Sequence, residues 1–145
     1  MQIHLPPKPV PDRDTQPFWD AVARRRLVVQ QCAVCARWIW QPKPVCPWCN
    51  AIEPVWTEVA GDARVASWTV VHAPVLPVWE FKIPFTIVLA ELTEAPGVRM
   101  VGQLLDDRGE LVLGTPVIDF ADRLSLRWRV DEAKQELPGW TRVPS

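Results

Sequence analysis

Cys32-Ala33-Val34-Cys35 and Cys46-Pro47-Trp48-Cys49 decide how the rest of the chain is read. All four cysteines lie in these two Cys-x-x-Cys pairs, with ten residues between the pairs. Two thiolates at this spacing can share one tight turn and point at one ion. Two such turns facing each other supply the four-sulfur tetrahedron that Zn²⁺ accepts. The residues between the pairs, Ala36 to Val45, are enough for a short β-hairpin that brings the turns together.

The spacing is that of a zinc ribbon, and it stands against three rivals. A disulfide framework needs an oxidising compartment and a chain too small to build a core. A thioredoxin-like redox site needs one pair in a βαβ context, which is missing here. An iron centre could use the same four sulfurs. With four thiolates the coordination sphere is closed to water, so the expected metal is one structural Zn²⁺ that folds chain rather than doing chemistry. Zinc knuckles favour glycine after the second cysteine of each pair, where φ tends to be positive. Ala36 and Asn50 hold those places; asparagine tolerates the conformation, and alanine loses about 1 kcal/mol in it.

Hydrophobic residues make up 48% of the 145 residues, so a sizeable core is expected and global disorder is not. The 16 basic and 17 acidic residues leave a net charge of −1, which provides no field for nucleic acid or an anionic membrane. The first residues lack the apolar stretch of a signal peptide, and the purest apolar run, Phe85 to Ala90, is six residues, too short to span a bilayer. A cytoplasmic protein is expected. Nine tryptophans and 16 prolines are more than a small core needs, which points to a partner surface.

Along the chain, residues 1–16 carry Pro6, Pro7, Pro9 and Pro11 and read as an extended arm. Asp14 or Thr15 offers an N-cap, Pro17 suits a first helical turn, and Phe18 to about Arg26 makes a short one-faced helix. Arg24-Arg25-Arg26 is a solvated C-terminal turn rather than a phosphate site. Leu27 to Gln31 is a strand leading into the ribbon, which closes a unit of residues 17–53. Beyond Pro54 the period becomes two. Strands are expected at Val55–Val59, Arg64–Ala73, Phe85–Leu92, Val98–Leu105, Val117–Phe120 and Leu124–Val130. That many antiparallel strands over residues 54–130 favour a small closed barrel, specifically an OB-fold. Residues 131–145 read as a second arm anchored by Trp140. The fold class is therefore mainly β: a short helix, a rubredoxin-like zinc ribbon, then an OB barrel.

In this order the motifs resemble a known family, the zinc-ribbon plus OB-fold proteins long catalogued as a domain of unknown function beside thiolases. The resemblance rests on Pro17-Phe18-Trp19, Leu27 to Cys35, Pro44-Val45-Cys46-Pro47-Trp48-Cys49, Trp68-Thr69-Val70-Val71-His72, Pro84-Phe85 and Gly114-Thr115-Pro116-Val117. It implies an accessory subunit of a thiolase-fold enzyme working on acyl-CoA thioesters. The complex would carry out acyl transfer, carbon–carbon condensation, or retro-aldol cleavage of a steroid or acyl side chain. The partner would supply the catalytic residues, in a heterotetramer built on its dimer. This chain would stabilise the complex and help shape a CoA or acyl entrance, with CoA thioester bound at the interface.

The residues read alone agree with that division of labour. Zinc takes every cysteine, leaving His4 in the arm and His72 at a strand end. Glu80, Glu91, Glu94, Asp106 and Asp107 form no recognisable pair, and no glycine loop is built to cradle phosphate. No catalytic residue is therefore assigned to this chain. Two alternatives stay open: a free-standing acyl-CoA-binding module and, less favoured, a single-stranded nucleic-acid binder, whose groove would need more than the lone Arg64 of its long strand. The interface candidates are Trp48, Trp68, His72, Trp79, Phe81, Phe85 and Trp140, and loss of Cys32 is expected to uncouple ribbon from barrel.

Overall fold

The computed structural model describes residues 7–72 and 82–144. The first turns of the chain's folded part are set by Asp12. Its Oδ1 accepts from the Asp14 and Thr15 N–H groups and from the Thr15 hydroxyl, at 3.0, 2.8 and 2.9 Å. Thr15 is the N-cap residue of α1 (Gln16–Ala23), but its hydroxyl is spent on Asp12 rather than on the helix. Phe18, Ala21 and Val22 form the buried face. The helix stops earlier than its apolar spacing suggests, because Arg25 takes a left-handed φ of 55°. The Arg25 and Arg26 N–H groups then bond back to the Val22 and Ala21 carbonyls, which is a Schellman closure. Two arginines of the triplet reach other elements: Arg25 pairs with Glu136 at 3.0 Å and Arg26 with Glu58 at 2.7 Å.

Three strands make the first sheet, in the order β2-β1-β3: β1 (Leu27–Gln31), β2 (Trp38–Ile39) and β3 (Val55–Val59). β1 is central, and all five of its residues pair antiparallel with β3, Leu27 opposite Val59 and Gln31 opposite Val55.

The second sheet is a closed barrel of β4 (Ala63–Val71), β5 (Phe85–Leu92), β6 (Arg99–Leu105), β7 (Arg123–Val130) and β8 (Glu136–Arg142). Neighbours run β4-β5-β6-β8-β7 and return to β4; β6 and β8 are parallel and the other pairs antiparallel. Numbered within the barrel this is the order 1-2-3-5-4 of an OB-fold. β4 carries a bulge between Val65 and Ser67, which bends it so that it pairs with β7 at one end and β5 along its length. In β5, Thr86, Val88, Ala90 and Leu92 point inward and are buried.

Two expectations fail here. Val117–Phe120 is not a strand. The segment between β6 and β7 is an irregular strap, pinned by bridges of Leu111 to Leu105 and Leu113 to Phe85 and by the Gly114 N–H to the Pro84 carbonyl at 2.9 Å. Ile118 turns inward to plug the barrel end, while Val117 and Phe120 face outward. The Asp119 N–H donates to the Asp122 carboxylate at 2.9 Å and Ala121 has φ 62°, a tight turn that limits backbone pairing here to the two bonds that Ala121 and Asp122 exchange with Val65.

The second failure is larger. Residues 131–145 are not an arm, because Glu136–Arg142 is the barrel's closing strand. Pro138 and Gly139 look like strand breakers, yet each fits. The parallel register with β6 begins at Gly139, one residue past Pro138, so that side of the strand makes no demand on the missing N–H. A Cβ on Gly139 would lie 2.5 Å from Leu105 Cδ1 and 2.9 Å from the Gln103 carbonyl oxygen, so the strands approach only because the side chain is absent. Trp140 fills the barrel, fully buried, and donates its Nε1–H to the Gly61 carbonyl at 3.0 Å.

Candidate metal centre and apolar surface

The two knuckles are built alike. The Cys32 N–H bonds the Arg37 carbonyl and the Ala36 N–H bonds the Cys32 carbonyl, at 2.9 and 3.0 Å. In the second knuckle Cys46 N–H to Ala51 and Asn50 N–H to Cys46 repeat both bonds at the same distances. Ala36 and Asn50 have φ of 62° and 63°, so the positions that glycine would favour do adopt the left-handed backbone. The Val34 and Cys35 N–H groups also point at Cys32 Sγ, each at 3.4 Å.

These turns bring the sulfurs of Cys32, Cys35, Cys46 and Cys49 within 4.8 Å of one another. The shortest cross-knuckle pairs are Cys32–Cys49 at 3.5 Å and Cys35–Cys46 at 3.7 Å. Zn–S bonds of about 2.3 Å in a tetrahedron give sulfur–sulfur edges of about 3.8 Å, so the donor set fits one such ion. All four are free cysteines, gathered as one cluster of four sulfurs rather than bonded in two pairs.

The proton affinities follow from the same geometry. Cys32 is pulled down to about 6, first by the Cys35 N–H and then, against burial, by the Val34 N–H. Burial raises Cys46, but the N–H groups of Cys49 and Trp48 outweigh it and the thiol is lowered. For Cys49 the Ala51 N–H lowers the value, but neighbouring Cys32, burial, Cys46 and Cys35 push it up to about 11. Four sulfurs this close cannot all ionise unaided; a divalent cation at their centre would replace the protons.

The remaining candidates are dispersed. Trp48 is half exposed on the knuckle tip, with the Arg37 guanidinium 5.5 Å from its ring centroid. Trp68 is half-buried on the barrel, its ring 4.9 Å from that of Phe120 and tilted 60° to it, and Phe120 is 68% exposed. His72 is exposed at the end of β4. Phe85 and Trp140 are both buried, Phe85 at 3% exposure and Trp140 fully enclosed in the barrel core. His4, Trp79 and Phe81 lie outside the described residues. Sequence reasoning missed the exposed Val34, Ile52, Val117 and Phe120. Val34 stands beside Cys35 and Ile52 three residues past Cys49, and this nearness to the ligands is the available signal. Val117 and Phe120 were hidden by the mistaken strand.

The outer face of β5 and β6, where OB-folds commonly hold single strands, presents Ile87, Leu89, Glu91, Arg99, Val101 and Gln103. Its one cation, Arg99, is tied to Glu91 at 2.9 Å. Such a face gives little electrostatic attraction for a phosphate backbone. Among the described residues, no helix is long and apolar enough to cross a membrane.

Comparison with known proteins adds the context. Residues 19–51 match the family model described as the ChsH2 rubredoxin-like zinc ribbon domain, and residues 56–118 match the ChsH2 C-terminal OB-fold domain. A chain of the solved Ltp2-ChsH2(DUF35) aldolase is 30% identical with a TM-score of 0.79, and the match covers 93% of this chain and 98% of that one. A DUF35 protein of unknown function from Sulfolobus solfataricus shares the fold at 14% identity and TM-score 0.55, over 79% of this chain and 77% of the other. A probable enoyl-CoA hydratase alpha subunit of Thermomonospora curvata is 36% identical over 115 residues, 79% of this chain. The chain spans 35% of that relative's length. Matching ribbon and barrel in the same order, and nearly end to end with the aldolase chain, this protein belongs to the ChsH2/DUF35 family of a rubredoxin-like zinc ribbon followed by an OB-fold domain.

Proposed function

We propose that this chain is the non-catalytic accessory subunit of a thiolase-fold enzyme that acts on acyl-CoA substrates, paired with it in a heterotetramer in the cytoplasm. The observation that carries the reading is the near full-length likeness to a chain of the Ltp2-ChsH2 aldolase. One structural Zn²⁺ holds the ribbon, and with all four cysteines engaged no thiol is left for catalysis. Catalysis belongs to the partner, and this subunit stabilises the complex and helps shape the entrance for CoA or acyl groups.

The two relatives' names make chemical sense together. Adding water across the 2,3-double bond of an enoyl thioester gives a 3-hydroxyacyl thioester. Retro-aldol cleavage requires that β-hydroxy carbonyl unit, whose C2–C3 bond it breaks. An aldolase partner would thus consume what a hydratase makes, and a steroid or acyl side chain is the fitting substrate class. This favours cleavage over condensation or simple acyl transfer.

The exposed aromatics Trp48 and Phe120, with Trp68 beneath Phe120 and His72 at the same strand's end, are the docking candidates. Purification of the tagged chain from its source cells, with mass spectrometry of what accompanies it, tests the reading. A stoichiometric thiolase-fold protein is the expected result. Recovery of the chain alone with CoA thioester, or with nucleic acid, would overturn it. Given the complex, Trp48→Ala and Phe120→Ala together should weaken it at least about tenfold by titration, since buried interface aromatics commonly contribute 2 kcal/mol or more. Unchanged affinity would remove this surface from the interface.

A further inference from the structure

We propose that the metal orders only the two knuckle turns, residues 32–37 and 44–52, and that the rest of the ribbon folds with the barrel whether or not metal is bound. The apolar interior divides at this point. One cluster joins Leu27, Val29 and Val59 of the ribbon sheet to Phe18 of the helix and to Leu104 and Trp140 of the barrel. The other holds only Cys32, Ile39 and Cys46, with Cys35 and Ala51 against it. The boundary runs within β1 and its exit, between Val29 and Cys32, not between ribbon and barrel.

What lies on the barrel side has its own supports. The β1–β3 pairing covers five residues of each strand and involves no sulfur. Trp38 and Trp40 of the hairpin pack on the larger cluster. The buried Gln30 side chain takes the place of a strand partner for the returning chain. Its Nε2–H donates to the Lys43 carbonyl at 3.0 Å and its Oε1 accepts the Lys43 N–H at 2.8 Å. This amide clamp fixes the hairpin base without help from the metal.

The tip has little of this. Two of its three buried side chains are themselves metal ligands, and Val34, Trp48 and Ile52 face solvent. Ala36 and Asn50 hold left-handed backbone that is unfavourable for residues with a Cβ. So small an apolar unit does not hold such turns closed once the sulfur–metal bonds are gone. Metal thereby controls the surface that carries Trp48 and Arg37, and leaves the surface around Phe120 untouched. On this reading loss of Cys32 opens the knuckles and leaves β1 and β3 with the barrel core, where the sequence suggested that it would part ribbon from barrel.

Hydrogen exchange with mass spectrometry on the full chain, before and after stripping with a chelator and with metal content measured, tests the division. The amides of Ala36, Cys46 and Asn50, all hydrogen-bonded in the knuckles, should lose protection at least about 100-fold. The amides of Leu27–Gln31, Val55–Val59 and β5 should stay within about threefold. Loss spreading through β1 and β3 would overturn the proposal, as would unchanged knuckle protection in metal-free protein. Cys46→Ser should reproduce the stripped pattern without a chelator; an unfolded barrel in that variant would equally overturn it.

Discussion

Trp140→Ala is expected to destabilise the protein by about 3–5 kcal/mol, the range for removing a large aromatic from a packed core. The indole is fully enclosed, and among the described residues it is the largest of the completely buried side chains. It packs on Gly102, where a Cβ would be 2.5 Å from the ring, so the residue beneath the indole has no side chain with which to fill the space. Truncation also leaves the Gly61 carbonyl without its indole donor. Denaturant unfolding followed by circular dichroism would read the change as a lower midpoint at unchanged slope. A loss below about 1 kcal/mol would mean that the residue is not the core of the barrel.

Gly61→Val is expected to cost about 2–5 kcal/mol by a different route. Gly61 has φ +88°, a conformation that a β-branched residue strongly resists. A Cβ there would also stand 2.7 Å from Leu126 Cβ and Cδ2, and overpacking of this kind adds about 1–3 kcal/mol. Because the Gly61 carbonyl is the acceptor for Trp140, the two substitutions damage one node. The double variant should lose less than the sum of the singles, by about 1 kcal/mol or more. Strict additivity would show that the hydrogen bond does not link β8 to the turn before β4.

The ribbon was legible because its chemistry is local. Cysteine spacing alone implies the facing turns, and the left-handed backbone at Ala36 and Asn50 follows from the turn geometry rather than from the residues' own preference. β5 was equally legible, since a strand buried along one face and half-buried on the other leaves an almost continuous apolar run. β8 was not. It is specified by complementary size, with Gly139 against Leu105 and Trp140 against Gly102, and that matching is invisible until the strands are side by side. Tryptophan misled for a related reason. Of the described tryptophans only Trp48 is exposed; the others lie in or against the core. A high tryptophan count therefore signals thick packing between helix, ribbon sheet and barrel as much as a surface for partners. The strap failed through its turn: Asp119-Phe120-Ala121-Asp122 closes on itself by side-chain bonding, and the strap meets the barrel strands only at single points, Ala121 and Asp122 at Val65, Leu113 at Phe85 and Leu111 at Leu105.

The barrel's parallel contact sets an order of events during synthesis. β8 is the last barrel strand to leave the ribosome, and it is the piece that joins β6 to β7. Until Arg142 has emerged, β6 and β7 each present an unpaired edge, and the cavity that Trp140 fills stands open. Open edges beside apolar surface are what chaperones cover and what neighbouring nascent chains pair with. A chain of this design is most exposed to misassembly in the interval between completing β7 and releasing β8, and anything that met it earlier would meet an unfinished surface.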